Sequence, residues 1–311
     1  MPETPQPTPR GKMTAIATIV NPLSVNHNKV MIFSSNKHYM LSLENRTIGG
    51  DFSFTIGQAT STQAPLLAYP SQLTAMIYKD AVAVYGITGT EKEDLEVAQL
   101  SPVYQPDTNI KPTYGSLAGC VADDGEGYLY MLSDNEQGKS QLHEWKLSDK
   151  DDDKRPIATS AFYEKTNLFA LFDPVLKLKW LVYQRDDNSL SLWSFKNKKD
   201  CIISESKYRA RKGTPLTACI VPADEAKGRP AHIYIYFVNE DNLLQSANSI
   251  SGAELYFNST DEKPSTVEGD QTVSAVSQLS VFLDYKESRN IVFGVKSGSK
   301  ISPMHETWRT K

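Results

Sequence analysis

The chain has few of the residues on which disulfide scaffolds, metal sites and membrane spans depend. Its 311 residues include three cysteines and five histidines. Three cysteines allow at most one disulfide bond, and the histidines lack the spacing of metal ligands. No apolar run approaches the roughly 20 residues that cross a bilayer. We therefore expect no disulfide framework, no metal site and no transmembrane helix.

An excess of one charge is also missing. The 33 basic and 37 acidic residues give a formal net charge of −4, which offers no electrostatic attraction for nucleic acid or an anionic membrane. Phosphate-binding loops, dinucleotide fingerprints and serine-hydrolase elbows do not occur. The sequence thus predicts no cofactor, no nucleic-acid partner and no membrane partner.

The first 12 residues, MPETPQPTPRGK, form a Pro-rich segment that we expect to be a flexible leader. It lacks the apolar core of a signal peptide. Two glycosylation sequons, at Asn45 and Asn258, are compatible with secretion. Secreted and intracellular locations both stay open, as does the oligomeric state.

What the chain does contain is a repeat. Six hexamers open on Leu or Met, have a small residue or Val at the third place and an apolar residue at the fourth. They are MTAIAT (13–18), LTAMIY (73–78), LAGCVA (117–122), LFALFD (168–173), LTACIV (216–221) and LSVFLD (279–284).

Each hexamer is followed by a second apolar run, a polar turn and room for two further strands. Four short strands recurring about every 50 residues are typical of a β-propeller blade. We therefore predict an all-β chain that forms a single six-bladed β-propeller domain over 13–311. A large two-sheet sandwich is the alternative. The leader is a candidate for the outer strand of the last blade, which otherwise has three strands.

Two cysteines, Cys120 and Cys219, fall at the same place in the third and fifth hexamers. One blade separates them, so a disulfide bond between them is not expected. We interpret both as small core residues.

The order of small-residue strand, hydrophobic-x-Tyr strand, Asp-Asn turn and third strand resembles the fungal fucose-specific lectins. The stretches FVNEDNLLQSA (237–247) and VYQRDDNSLSLWSF (182–195) carry the resemblance most clearly. It implies a six-bladed propeller whose sugar sites lie between blades. In that family an Arg on the second strand and a Glu on the third hydrogen-bond the sugar, and an aromatic residue packs on its apolar face.

This chain departs from that pattern. The arginine-equivalent positions, aligned from the repeat, are Met31, Ala83, Tyr128, Trp180, Tyr234 and Ile291. The glutamate-equivalent positions are Leu41, Val97, Glu144, Leu192, Ser246 and Pro303. Only Glu144 keeps its carboxylate, so we expect the fucose sites to be lost.

Aromatic residues crowd blades three to five instead. Packing between blades accounts for most of them, yet some stand at positions that face a ligand in the lectins. A pocket relined with aromatics suits a flat or apolar small molecule. We predict Trp180, Tyr234, Trp145 and Trp193 as substrate-binding residues, and Glu144 with Tyr128 as the catalytic polar pair.

Three functions follow as hypotheses. The first is an enzyme that works by shape on an apolar substrate, resembling the fungal hetero-Diels–Alderases of tropolone-sesquiterpenoid biosynthesis; this hypothesis rests on analogy of fold. The second is a lectin of altered specificity, and the third is a non-catalytic interaction scaffold. One special pocket favours the enzyme, whereas several similar sites around the ring favour the lectin.

Overall fold

The computed structural model describes the chain over fifteen ranges: 14–24, 29–36, 38–47, 55–57, 66–90, 94–107, 111–135, 137–148, 155–159, 161–203, 210–251, 265–267, 272–274, 277–296 and 301–308. The leader lies outside these ranges, as do Asn258 and the acidic run 149–154. No helix within the described residues is long and apolar enough to cross a membrane.

The described strands form six antiparallel sheets, each built from consecutive strands. Blade 1 contains β1 to β4, at Ile16–Val20, Lys29–Ser35, Leu41–Thr47 and Thr55–Gly57. Blade 2 contains β5 to β8, at Leu73–Tyr78, Ala81–Thr88, Glu96–Ser101 and Gln105–Asp107. Blade 3 contains β9 to β12, at Leu117–Val121, Gly127–Asp134, Ser140–Lys146 and Arg155–Pro156.

The second half of the ring repeats the arrangement. Blade 4 contains β13 to β16, at Phe169–Asp173, Leu178–Gln184, Leu190–Ser194 and Lys199–Ile203. Blade 5 contains β17 to β20, at Thr217–Val221, His232–Val238, Leu244–Ile250 and Ser265–Thr266. Blade 6 contains β21 to β23, at Ser280–Asp284, Arg289–Val295 and Ile301–Thr307. One 3-10 turn, Glu225–Lys227, interrupts the link between β17 and β18.

The first strands of the six blades contact one another in a closed ring, β1–β5–β9–β13–β17–β21 and back to β1. The prediction of an all-β, six-bladed propeller is therefore confirmed. Five hexamers coincide with these inner strands to within one residue. The remaining expectation, 13–18, is wrong by three residues. Ile16, Ala17 and Thr18 line the central channel beside Leu73, Thr74 and Ala75, which open the second hexamer. The repeat of blade 1 therefore begins at Ile16.

Each blade is apolar on both faces because both are covered by neighbouring blades. Blade 4 illustrates this: Leu181 and Tyr183 pack toward blade 3, whereas Trp180 and Val182 pack toward blade 5. Alternate residues of one strand thus serve two different cores. Cys120 and Cys219 are both free and buried in such cores, as expected.

Buried amides tie neighbouring blades together near the axis. Gln278, one residue before the sixth hexamer, accepts through Oε1 from the backbone N–H of Ile16 at 2.9 Å and of Leu73 at 3.0 Å. Its Nε2 donates to the Leu73 carbonyl at 2.9 Å. Blade 6 is thereby joined to blades 1 and 2. Gln72 makes the equivalent bonds from blade 2 to Leu117 and Leu168 of blades 3 and 4.

Blade 6 has three described strands, and β23 is the outermost of them. Pro303 lies in the middle of β23, and Arg46 of blade 1 donates from its guanidinium to the Ile301 carbonyl at 3.2 Å. A proline and a charged side chain are two ways in which proteins protect an edge from further pairing. Whether the leader adds a fourth strand stays a prediction.

We expect Gln278→Ala to lower the free energy of unfolding by about 3 kcal/mol or more, because each buried backbone group that loses its partner costs about 1–3 kcal/mol. Denaturant unfolding measures the change. Gln137→Ala, in an exposed turn, is the control and should change stability by less than about 0.5 kcal/mol. Equal, small effects of both substitutions would contradict the role of Gln278 in ring closure.

Candidate functional site

The register of the sheets places the six arginine-equivalent residues at one common position. Each lies on the second strand of its blade, opposite the fourth residue of the inner-strand repeat. The repeats begin at Ile16, Leu73, Leu117, Leu168, Leu216 and Leu279. The six pairs are Met31 with Ile19, Ala83 with Met76, Tyr128 with Cys120, Trp180 with Leu171, Tyr234 with Cys219 and Ile291 with Phe282. The six residues are therefore equivalent to one another, and their correspondence to the lectin arginine stays a prediction.

The glutamate-equivalent positions need two corrections. On the third strand of blade 1 the matching residue is Leu43, which pairs with Phe33. The predicted residue, Leu41, pairs with Ser35. In blade 2 the matching residue is Gln99, opposite Tyr85, rather than Val97. A register shift between Val84 and Tyr85 displaces the pairing there. The other four positions are correct.

Most arginine-equivalent residues fill the space between blades. Trp180 is 2 % exposed, Ile291 1 % and Tyr234 fully buried. Trp180 packs among Ile233 and other apolar residues of blades 4 and 5, and Met31 packs in the core between blades 1 and 2. In this structure Trp180 and Tyr234 offer almost no accessible surface to a ligand, so their predicted substrate contacts require rearrangement of the core.

The cleft between blades 3 and 4 contains the predicted catalytic pair. Glu144 on β11 lies opposite Tyr130, whose hydroxyl donates to Oε2 of Glu144 at 3.0 Å. Lys179 on β14 of blade 4 also donates to this oxygen, at 2.7 Å. The Lys179 ammonium lies 3.3 Å from the centre of the Tyr128 ring and 5.0 Å from that of Phe195. Lys179 therefore supplies, from the next blade, a positive charge next to the position that lacks the arginine.

The chain's own lysine occupies this cleft. Glu144 is 8 % exposed and accepts from two donors. Burial, followed by the charges of Asp124 and Glu144, raises the pKa of Tyr128 to about 12. Tyr128 is therefore protonated near neutral pH, and its ring serves as the face for a cation. The proposed proton-donor role of Glu144 stays a prediction; the geometry shows its carboxylate as an acceptor.

The other two predicted tryptophans each pack toward the blade that precedes their own. Trp193, 6 % exposed, lies opposite Leu181 and packs in the core between these blades. Trp145 neighbours Glu144 on β11 and therefore points the other way, toward blade 2. The six predicted site residues are thus spread over four inter-blade spaces and do not form one site.

The cleft between blades 2 and 3 is open. A cavity of about 440 Å³ lies there. The residues that line it are Tyr78, Lys79, Ala81, Ala83, Tyr85, Val97, Gln99, Pro102, Gln105, Pro106, Asp107, Trp145 and Leu147. Ala83, 3 % exposed, is one of the lining residues and is the smallest of the six arginine-equivalent residues.

Two polar residues that line this cavity are held by hydrogen bonds. The Tyr85 hydroxyl donates to Oε1 of Gln99 at 3.0 Å, and Nε2 of Gln99 donates to the Val103 carbonyl at 3.4 Å. Burial, followed by the neighbouring Tyr78 hydroxyl, raises the pKa of Tyr85 to about 12. The phenol therefore remains a hydrogen-bond donor at neutral pH. Sequence reasoning missed Gln99, because the register shift hides it, but Ala83 was already visible as the smallest member of its set.

The structure also places one sequon. Asn45 lies within β3, between β2 and β4, and its side-chain oxygen is enclosed. Glycosylation of Asn45 stays a prediction. Among the described residues no group of three or more His, Cys, Asp or Glu side chains is arranged to hold a metal ion.

Comparison with known proteins shows a likeness of fold to propeller lectins. The protein AofleA from Arthrobotrys oligospora superposes with a TM-score of 0.64 at 12 % identity, over 96 % of this chain and 85 % of its own. A variant of the Aleuria aurantia lectin in complex with Fucα1-6GlcNAc has a TM-score of 0.62 at 14 % identity, over 94 % and 91 %. The BP39L lectin from Burkholderia pseudomallei has a TM-score of 0.61 at 11 % identity, over 94 % and 81 %.

The likeness shows the fold alone. At these identities the sugars bound by the lectins do not transfer to this chain. No family model and no curated protein sequence matches it.

Removing the charge of Lys179 should destabilise the protein, because Glu144 is left as a buried and unpaired carboxylate. We expect Lys179→Met to lower the free energy of unfolding by up to about 3 kcal/mol. Lys177→Met is the matched control, since Lys177 pairs with Asp123 at 2.8 Å but is 71 % exposed, and an exposed pair contributes about 0–1 kcal/mol.

The double variant Lys179→Met with Glu144→Gln should recover part of this loss in the same denaturant experiment. Additive effects of the two substitutions would show that the pair is not coupled.

Fucose binding should be negligible at millimolar concentration. No arginine stands at any of the six positions, and each sugar hydroxyl buried without a partner costs about 1–3 kcal/mol. Calorimetric titration with methyl fucoside tests this. Saturable binding would mean that other residues replace the missing arginine.

Proposed function

We propose that the protein binds one small molecule with a flat or apolar part in the cleft between blades 2 and 3. The observation that carries this proposal is the size of Ala83. This small residue borders the cavity between blades 2 and 3, whereas the larger Met, Tyr, Trp, Tyr and Ile stand at the five equivalent positions. A lectin that relies on avidity keeps several similar sites, whereas a single differentiated cleft suits one specific ligand.

For the chemistry we propose a cofactor-independent hetero-Diels–Alder cycloaddition, in which a tropolone quinone methide reacts with a sesquiterpene alkene. Such a reaction needs little acid–base equipment. Holding the two partners in a near-attack arrangement supplies up to about 7–11 kcal/mol of barrier reduction. Trp145 would provide a flat wall for one partner. The neutral Tyr85 and the amide of Gln99 would orient a carbonyl oxygen at the base of the cleft.

A carbohydrate ligand is the second candidate. The observation that favours it is the polar part of the lining, in which Gln99, Gln105 and Asp107 stand near Trp145. Amides and a carboxylate beside an aromatic ring suit a sugar that stacks one face and bonds its hydroxyls. In this case the specificity differs from that of a fucose lectin.

Closing the cleft should abolish function while preserving the fold. Ala83→Trp places in blade 2 the residue that fills the equivalent position of blade 4. We expect at least a tenfold loss in turnover of a tropolone quinone-methide precursor with a humulene-type alkene. Trp145→Ala removes the aromatic wall without overfilling the core and should cost a similar factor.

The control for an added tryptophan is Val175→Trp, in an exposed turn of blade 4 (69 % exposed). Circular dichroism and thermal unfolding establish that each variant is folded. If the parent protein shows no acceleration over buffer, the cycloaddition proposal fails. If a sugar from a neutral panel then binds and Trp145→Ala abolishes that binding, the carbohydrate candidate replaces it.

A further inference from the structure

A second cavity lies at the opposite end of the same strands. Its volume is about 490 Å³. The first cleft is lined by the start of β6 and the end of β11, whereas this one is lined by the end of β6 and by the turn from β10 to β11. The two cavities therefore open at opposite ends of blades 2 and 3.

Two tyrosines border this second cavity and two more extend the row. Tyr69 and Tyr114 line it, each on the segment that leads into blade 2 or blade 3. The Tyr39 ring of blade 1 meets the Tyr69 ring edge to face at 6.1 Å. The pKa of Tyr114 is raised, first by burial and then by the neighbouring Tyr163 and Tyr69. Tyr163 lies on the segment that leads into blade 4, where its backbone N–H donates to the Gln184 carbonyl at the end of β14 at 2.9 Å. Tyrosines from four successive blades thus follow one arc of this end of the propeller.

The walls of the cavity are preformed. A Cβ atom on Gly115 would collide with the carbonyl oxygen of Pro70, so these two blade-linking segments lie in backbone contact and hold Tyr69 and Tyr114 side by side. On the other side, the turn after β10 is fixed by Asn135, whose side-chain oxygen accepts from the N–H of Gln137 at 2.9 Å and of Lys139 at 3.0 Å. A ligand therefore meets a largely rigid surface, which lowers the entropy cost of binding.

Six polar side chains also line the cavity. Three hydroxyl side chains contribute, namely Thr90, Thr113 and Ser140. Three charged side chains border the cavity, namely Asp134, Glu164 and Lys165. Thr113 and Ser140 approach each other with their hydroxyl oxygens 3.5 Å apart.

This composition decides the class of ligand. Two carboxylates against one ammonium disfavour an anion such as a phosphate ester. Pro70 and Leu95 add aliphatic surface to the lining, but a wholly apolar ligand would leave the hydroxyl and carboxylate groups desolvated without partners. A neutral polyhydroxylated chain suits both the aromatic and the polar side chains of the lining, because its C–H faces pack on tyrosine rings and its hydroxyls donate to Asp134 and Glu164.

We propose that this cavity is a second ligand site that takes a neutral linear oligosaccharide running along the tyrosine arc. The site is independent of the cleft between blades 2 and 3. It uses none of the arginine-equivalent or glutamate-equivalent positions.

The test is binding of the full chain to an array of neutral linear oligosaccharides of glucose, galactose and N-acetylglucosamine, followed by calorimetry with the strongest binder. We expect at least a tenfold loss of affinity in Tyr114→Ala. Asp134→Asn, an exposed and conservative change that should leave folding intact, should cost at least threefold.

Two controls locate the site. Tyr285→Ala removes a tyrosine that is 60 % exposed in the turn between β21 and β22, at the other end of the propeller, and should leave affinity unchanged. Trp145→Ala alters the first cleft and should also leave it unchanged. The proposal is overturned if no oligosaccharide binds the parent, if both Tyr114→Ala and Asp134→Asn bind like the parent, or if Trp145→Ala abolishes binding. That last outcome would support the carbohydrate candidate for the first cleft.

Discussion

The packing of each blade against its two neighbours is the constraint on which the structure depends. A four-stranded sheet that is apolar on both faces is stable only when both faces are covered. Six such sheets cover one another when the ring closes, and closure is reinforced by Gln278, which binds backbone groups of blades 1 and 2. A ligand site between blades therefore requires a gap in this packing. The size of the gap depends on the residue at the arginine-equivalent position.

The three best-defined inter-blade spaces show how one position is used in different ways. In blade 4 the position is occupied by a buried tryptophan, Trp180, which belongs to the hydrophobic core between blades 4 and 5. In blade 3 Tyr128 leaves room for a cation, and Lys179 of the next blade takes that place and pairs with Glu144. In blade 2 Ala83 leaves a cavity. The residue at this position thus differs in its surroundings from blade to blade: it belongs to the core in blade 4, contacts the lysine of an inter-blade ion pair in blade 3 and borders a cavity in blade 2.

The repeat allowed the propeller to be predicted from sequence, because small and apolar residues recur where inner strands meet. Blade 1 was misplaced by three residues, since MTAIAT has the Leu or Met opening of the other repeats, whereas the true repeat opens on Ile16. A second element of the repeat was overlooked: a Ser or Thr two residues before the hexamer, as in Thr166, Thr214 and Ser277, accepts a hydrogen bond from the end of the second strand. This pattern is visible in sequence and would have fixed the register.

The site was less predictable than the fold. Glu144 and Tyr128 border the same inter-blade space, and their catalytic role stays a prediction. Lys179 was not predicted, because it reaches them from another blade and sits beside the aligned position. Trp180 and Tyr234 share a register with a ligand position, yet register alone does not tell whether a side chain faces a cavity or a core. That depends on the residues of the adjacent blade, which lie about 50 positions away in sequence and are joined only by the closed ring.

The central claim is that one inter-blade cleft is open for a small molecule while its equivalents are filled. The number of tropolone molecules bound per chain, measured by native mass spectrometry over a concentration series, tests this most directly. The account predicts one saturable equivalent per chain. Saturation at several equivalents, as expected for a ring of similar sites, or the absence of saturable binding would contradict it.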